Sequence, residues 1–443
     1  MLKKLTSIWH SDDLLRRVVK NSSYLFSSNA ISAGVSVLQS IFAARTLGLV
    51  EFGIFGAITS FAAAADKLLS FRMGELVIKY MGQALAKDEK PRAAAIFKAA
   101  ALVELLTSIL SYIIVFLLSS FAATYFAKDI TYAPFFVFYA LIIPAGFIYE
   151  TSSAVLQVTG HFRSQAVLNL AQSIATVAII LYAYFSHAGL WIILLAYLVG
   201  KSITGIGFAL LAFYHTTKLL GPDWWRAPFS LLPPRREFWT FALSSNFSGT
   251  VNLVTRDSEV LWVNYFLSPA QGGYYKLALA LINLVLMPID PFIKTSFPEI
   301  SKAIAEKAWG RLKSLLRRLT TIATAVTLTV GGGLLLVGVP LVSLVYKPEY
   351  APAVPVALIL LLGYGTANIF FWNRPLILSL GHPTYPLVVM TIAGLAKVAL
   401  SFWLVPRFGM YAQAGLMAAF FITSIGLIVW KALSEIQAMD DRS

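Results

Sequence analysis

Three ionisable residues, Arg256, Asp257 and Glu259, stand within four positions of one another in the stretch LVTRDSEVLW. The segments on either side, 238–254 and 260–267, contain no charged residue. A guanidinium beside two carboxylates can hold a phosphate, exchange a proton or Na⁺, or pair internally. A lone ionised group near a bilayer centre costs at least ~2.5 kcal/mol on the mildest scale. Three together therefore need a wet cavity or partners. At helical periodicity Asn246, Thr250, Asp257 and Asn264 fall within roughly 40° of one another. Ser245, Ser248, Asn252, Arg256 and Glu259 form a second stripe, on which Arg256 and Glu259, three apart, can pair.

The elements that must position these groups are membrane spans. Of 443 residues 58% are hydrophobic and 13% charged, against roughly 45–50% and about 25% in a soluble domain. Apolar runs long enough to cross ~30 Å of hydrocarbon recur along the whole chain, so a cleaved leader does not explain them. Twelve spans are expected: 22–44, 52–71, 96–120, 132–157, 164–185, 189–213, 238–266, 272–293, 318–344, 353–379, 384–404 and 409–431. Cysteine is absent, which excludes disulfides, thiolate metal sites and cysteine nucleophiles. The net charge of +14 is topological: 25 of the 35 lysines and arginines lie in alternate connections, whereas the opposite loops hold only Arg45, Lys128, Lys347 and Arg407. By the positive-inside rule the basic connections and both termini are cytoplasmic, and the basicity does not point to nucleic acid. Residues 2–19 and the stretch SKAIAEKAWGRLKSLLRRL, from Ser301, are expected as amphipathic helices on the membrane surface.

The chain repeats itself at offsets of 217 to 221 positions. SSNA at Ser27 faces SSNF at Ser244, and LGLVEFGIF at Leu47 faces LSPAQGGYY at Leu267, so that Gly53 matches Gly273. Arg92 faces Arg311, Lys128 faces Lys347, Gly160-His161 faces Gly381-His382 and Gly189 faces Gly409. Each copy holds six spans, an even number, so both enter the membrane from the same side. The expected fold is an all-α polytopic membrane protein, with twelve transmembrane helices in two six-helix bundles related by a parallel internal repeat. Residues 1–215 form the first bundle, 216–237 a cytoplasmic linker and 238–443 the second bundle.

The pattern LG-x-x-x-F-G-x-F after the first span, and RDSEVLWVNYFLSPAQGGYY followed by PFIKTSFPEIS after the seventh, resemble the polysaccharide flippases of the multidrug/oligosaccharidyl-lipid/polysaccharide exporter (MOP) superfamily. The resemblance covers the whole chain in span count, repeat and spacing. It implies a pair of bundles around a central cavity lined by the first two spans of each half, and movement of undecaprenyl-pyrophosphate-linked oligosaccharide from the cytoplasmic to the outer leaflet of the inner (plasma) membrane. The first span has no charge between Asn21 and Ala44, where some relatives that flip the peptidoglycan precursor carry a buried Arg. An O-antigen or exopolysaccharide flippase is the closer expectation.

On that resemblance the expected substrate path comprises Asn29, Asp66, Lys67, Asn246, Thr250, Arg256, Asp257, Glu259 and Lys276. Lys67, Arg256 and Lys276 would meet the pyrophosphate, and Asp257 and Glu259 would act as their counter-ions or as sites for a coupling H⁺ or Na⁺. Glu104, Glu150, Lys201, Arg374 and Lys397 stand equally as cavity groups and as structural ion pairs between helices. Close packing is the better reading of the intramembrane hydroxyls, and tight connections of Gly48, Gly53, Gly272 and Gly273. His161 and His382 read as loop residues. No Gly-rich phosphate loop, catalytic triad or metal-ligand set is present in the sequence, so neither an enzyme nor a cofactor is expected. Expected partners are the lipid-linked oligosaccharide and the bilayer, with a glycan polymerase and glycosyltransferases of the same pathway. The rival readings are a cation-coupled multidrug exporter of the same superfamily and a membrane-embedded glycan polymerase. The polymerase would need large outer loops, and the expected outer loops are short.

Overall fold

The computed structural model describes residues 13–69, 71, 73–234, 236, 246, 249–382 and 384–440. The described residues are helical, with no strand among them, and eight helices are long and apolar enough to cross a membrane. Only helices with internally satisfied backbones can cross hydrocarbon in this way. The protein is an all-α polytopic membrane protein.

Two of the eight are each a pair of expected spans joined by a bend. Asp13–Leu69 turns at Gly48 (φ +70) and Tyr385–Asp440 at Gly409 (φ +69). A left-handed φ costs about 1–2 kcal/mol for a residue with a Cβ, which is why glycine stands at both corners. Ten of the twelve expected spans thus lie in these eight helices. The other two are interrupted. After residues 237–245, 247 and 248, which lie outside the described residues, come a π-helical turn Leu253–Asp257 and the helices Glu259–Phe266, Pro269–Leu286 and Asp290–Ala305. Ser268 caps the second of these by accepting from the Gln271 amide (3.4 Å), with Pro269 at its first position.

The chain packs as two compact units. The first comprises the described residues of Met1–Thr46, Phe61–Ala123 and Ile130–Thr250; the second those of Leu47–Ser60, Thr124–Asp129 and Val251–Ser443. Within the first, Met73, Leu76, Val77 and Met81 bury against Ile96, Phe97 and Val155. The helix Leu190–Leu220 crosses the bent segment after Ala145 so closely that a Cβ on Gly205 would sit 1.9 Å from the Ala145 carbonyl oxygen. The described part of the 216–237 connection is folded onto this unit. Trp224 stacks on Phe213 (5.9 Å) and meets Phe97 edge-on (5.0 Å), and Lys98 donates to the Ala227 carbonyl. Within the second, Ala353–Ile369 packs on Tyr385–Asp440 through a glycine, where a Cβ on Gly363 would lie 2.5 Å from Ala418 Cα. Small residues let membrane helices approach in this way.

The two expected surface helices fare differently. Residues 2–12 of the first lie outside the described residues. The second is not a single helix: Asp290–Ala305 ends, Lys307 takes φ +52, and Trp309–Val345 starts anew as a long span. Its apolar side is not laid on lipid. Trp309, Leu312 and Leu316 are buried with Ile300, Trp372 and Ile436 in one cluster.

Candidate substrate path

The stretch that carries Arg256, Asp257 and Glu259 is not an unbroken α-helix. Leu253–Asp257 is a π turn, in which Ser258 donates its amide (3.0 Å) and its hydroxyl (2.9 Å) to the Leu253 carbonyl, five residues back. A π turn inserts an extra residue and rotates everything after it by about 100° relative to a regular helix. The stripes expected from regular periodicity therefore come apart at this point. Asn264 is fully buried, its amide donating to the Gly53 carbonyl at 3.3 Å, whereas Asp257 is exposed. Arg256 does not pair with Glu259. Its Nε lies 3.6 Å from Asp257 Oδ1, with the two side chains 49% and 29% exposed.

Glu259, expected on the substrate path, faces the interior instead. Its side chain and that of Lys397 are each 1% exposed and form an ion pair. Tyr275 donates to Glu259 Oε2 at 2.6 Å, and Gln413 Nε2 donates to both carboxylate oxygens at 3.0 and 3.1 Å. Ser401 in turn donates to Gln413 Oε1 at 3.1 Å. Lys397 also donates to the Thr255 carbonyl, inside the π turn. Every oxygen of the carboxylate is therefore occupied by the protein's own donors, as a charge withdrawn from water requires. Of the alternatives for Lys397, the structure realises the structural ion pair.

Lys276 lies on Pro269–Leu286 and is half-buried. Its ammonium is 3.5 Å from the centroid of Phe55, 5.1 Å from that of Phe52 and 3.5 Å from Thr59 Oγ1. A ring face contributes about 0.5–2 kcal/mol to a desolvated cation but does not cancel its charge. Among the described residues no carboxylate pairs with it. The backbone there is packed through glycines: a Cβ on Gly53 would lie 1.7 Å from the Pro269 carbonyl oxygen and 2.9 Å from the Gly273 amide. A Cβ on Gly56 would lie 2.9 Å from Lys276 Cδ. Gly53 and Gly273 are matched positions of the internal repeat, and the same offset carries Gly56 onto Lys276. Corresponding residues of the two copies thus meet within the second unit. Phe52, Phe55 and Thr59 were not singled out by residue type, but extending the repeat register from Gly53 would have pointed to that segment.

Of the remaining candidates, all but Arg374 and His382 belong to the first unit. Asp66 and Lys67 are exposed, and the cations acting on Asp66 are Lys201 and Lys67. Lys201 spans Gly146 and sits 4.3 Å over the Tyr149 ring. Asn246 donates to the Leu68 carbonyl at 3.1 Å, and Thr250 donates to the Asn246 carbonyl at 3.1 Å. Asn29 lies on Asp13–Leu69, and its side chain is outside the described residues. Glu104 forms no ion pair among the described residues. Its carboxylate accepts the amides of Glu150 (2.7 Å) and Thr151 (2.9 Å) at the start of Tyr149–Val158, where the fourth expected span is broken. It satisfies amides that a broken helix would otherwise leave unpaired in hydrocarbon. Arg374 is exposed. His161 lies against His215 with ring centroids 3.5 Å apart and planes tilted by 31°, and His382 Nε2 lies 2.8 Å from Glu435. Among the described residues no group of three or more His, Asp or Glu side chains is placed to hold a metal.

The polysaccharide biosynthesis protein family matches residues 18–304. The inner membrane protein YghQ of Escherichia coli (strain K12) is 21% identical over 348 residues, covering 78% of this chain and 97% of that protein. A multidrug resistance MATE family transporter of the MOP superfamily, solved in an inward-facing conformation, superposes with a TM-score of 0.74 at 11% identity, covering 93% of this chain and 96% of that one. The lipid II flippase MurJ in an inward closed conformation superposes with a TM-score of 0.69 at 13% identity, covering 94% and 89%. The chain belongs to the polysaccharide biosynthesis protein family, and its fold is that of the MOP-superfamily transporters.

Proposed function

We propose that the protein is a flippase that carries undecaprenyl-pyrophosphate-linked oligosaccharide from the cytoplasmic to the outer leaflet of an inner membrane, by alternating access. The observation that carries this reading is how charge is distributed inside the fold. Glu259 is ion-paired with Lys397 and hydrogen-bonded by Gln413 and Tyr275, and Glu104 accepts two backbone amides, whereas the Lys276 ammonium has rings and one hydroxyl around it. An exporter of organic cations needs the reverse, an acidic group left available to its cargo, and the exposed carboxylates Asp66 and Asp257 stand beside cations of the protein's own, Lys201 and Lys67 for the first and Arg256 for the second. An anionic pyrophosphate is the cargo that a half-buried cation without a carboxylate partner suits, because ionised donor–acceptor contacts are the strong ones in a dry setting. Exposed Arg256 and Lys67 are the cations that would pass the headgroup on, with Asp257 as resting counter-ion of Arg256. Asp66, Asn246 and Thr250 would supply the neutral and acidic lining of the path, and Glu259 has no place on it. Family membership in polysaccharide biosynthesis and the inner membrane relative support a glycan cargo.

The test is genetic. Deletion in the native host should remove surface glycan and leave lipid-linked oligosaccharide on the inner leaflet. Wild type should restore export. Lys276→Met should cut it by roughly tenfold or more, the scale of one hydrogen bond to a charged group, and Lys276→Glu should abolish it, each at unchanged membrane abundance. Normal export by Lys276→Glu would overturn the reading.

A further inference from the structure

One face of Trp309–Val345 changes character along its length. Lys313, Arg317, Thr321, Ala325 and Leu328 follow at spacings of four and three, so they stand in one row. That row lines a cavity of about 610 Å³ within the second unit, whose opposite wall is Phe370, Trp372 and Leu433. One end is cationic, hydroxyls of Thr320, Thr321 and Thr324 follow, and the far end is apolar and open, with Leu328 67% exposed. The wall is held in place: Trp372 Nε1 donates to Thr320 Oγ1 at 2.8 Å, and Trp372 and Leu316 belong to the buried cluster of this unit. Lys313 pairs with Asp440 at 2.6 Å, while Arg317 has no carboxylate partner among the described residues. This is the basic segment expected to lie on the membrane surface as a helix of its own.

We propose that this groove binds an anionic phospholipid of the surrounding bilayer. Arg317, assisted by Lys313, holds the phosphate, and one acyl chain runs past Thr324 against Phe370 and out along Leu328. The order of polarity along the groove, cation then hydroxyl then hydrocarbon, is that of a glycerophospholipid read from its headgroup inward. Basic pockets between membrane helices recognise anionic headgroups on the same physical grounds. A free phosphate would have no use for the apolar trench, and a zwitterionic lipid would gain little from the cations. The site is distinct from the Lys276 region and does not depend on what the protein carries.

The experiment uses the purified full chain in detergent, titrated with phosphatidylglycerol, phosphatidylcholine and inorganic phosphate, with bound lipid counted by native mass spectrometry and the thermal midpoint read in parallel. Phosphatidylglycerol should bind and raise the midpoint, and the other two should not. Arg317→Glu should weaken phosphatidylglycerol about tenfold, the scale of one or two interfacial cations, and Thr324→Trp should block it with both cations intact. Arg317 is exposed, so Arg317→Gln removes the charge without disturbing the core and serves as the variant that must fold; its lipid-free midpoint should match wild type. Equal response to phosphatidylcholine, reproduction of the shift by inorganic phosphate, or undiminished phosphatidylglycerol binding in Arg317→Gln would each overturn the proposal.

Discussion

Glu259 and Lys276 illustrate two outcomes for a charge in a membrane span. Glu259 is enclosed by Lys397, Tyr275 and Gln413, so removing one partner strands the other. Lys397→Met should destabilise the protein by about 3–5 kcal/mol, and the double variant Lys397→Met/Glu259→Leu should be clearly less damaged than that single one; thermal unfolding in detergent reads the difference. Additive damage would show that the two side chains are not coupled. Lys276 and Arg256 are instead expected to show in transport and not in stability. Arg256→Glu places a second negative charge beside Asp257, and should abolish surface glycan with membrane abundance unchanged, as scored by immunoblot against glycan staining. The types of these residues were legible in the sequence because charges stand out against an apolar background. Their partners were not: Lys397 lies 138 positions from Glu259, and nothing in a single chain's composition reveals a pairing across that distance.

At the scale of elements, hydropathy located ten of the twelve expected spans, because a length requirement and an apolar composition are enough to do so. Glycines marked the corners at Gly48 and Gly409, where the backbone takes a left-handed turn. The π turn at Leu253–Asp257 was invisible, since a single inserted residue leaves composition unchanged while it rotates every later side chain. That one feature undid the expected Arg256–Glu259 pair and the expected Asp257–Asn264 stripe. The two kinds of glycine should separate experimentally. Gly48→Ala meets open space but a positive φ and should cost about 1–2 kcal/mol. Gly53→Ala would drive a Cβ to 1.7 Å from the Pro269 carbonyl oxygen and should reduce the yield of folded protein, read as the monodisperse fraction in size-exclusion chromatography. Equal tolerance of both would contradict the close approach of the two repeat copies.

For the whole molecule, the proposal is that the chain works as a transporter on the MOP fold whose buried Glu259 is ion-paired within the protein, leaving cations to receive an anionic lipid headgroup. A multidrug exporter on the same fold would move organic cations, so resistance to cationic dyes should be unchanged when the protein is overproduced in a sensitive host. The direct measurement is sidedness in reconstituted vesicles. Polyprenyl-pyrophosphate-linked oligosaccharide is incorporated in both leaflets, and the fraction open to a membrane-impermeant glycan-cleaving enzyme is followed with wild type, with Lys276→Glu and in protein-free vesicles. The account predicts that wild type exposes the inner-leaflet pool while Lys276→Glu leaves it as protected as in protein-free vesicles. An inner-leaflet pool that stays protected with wild type, or is exposed equally by Lys276→Glu, would contradict it.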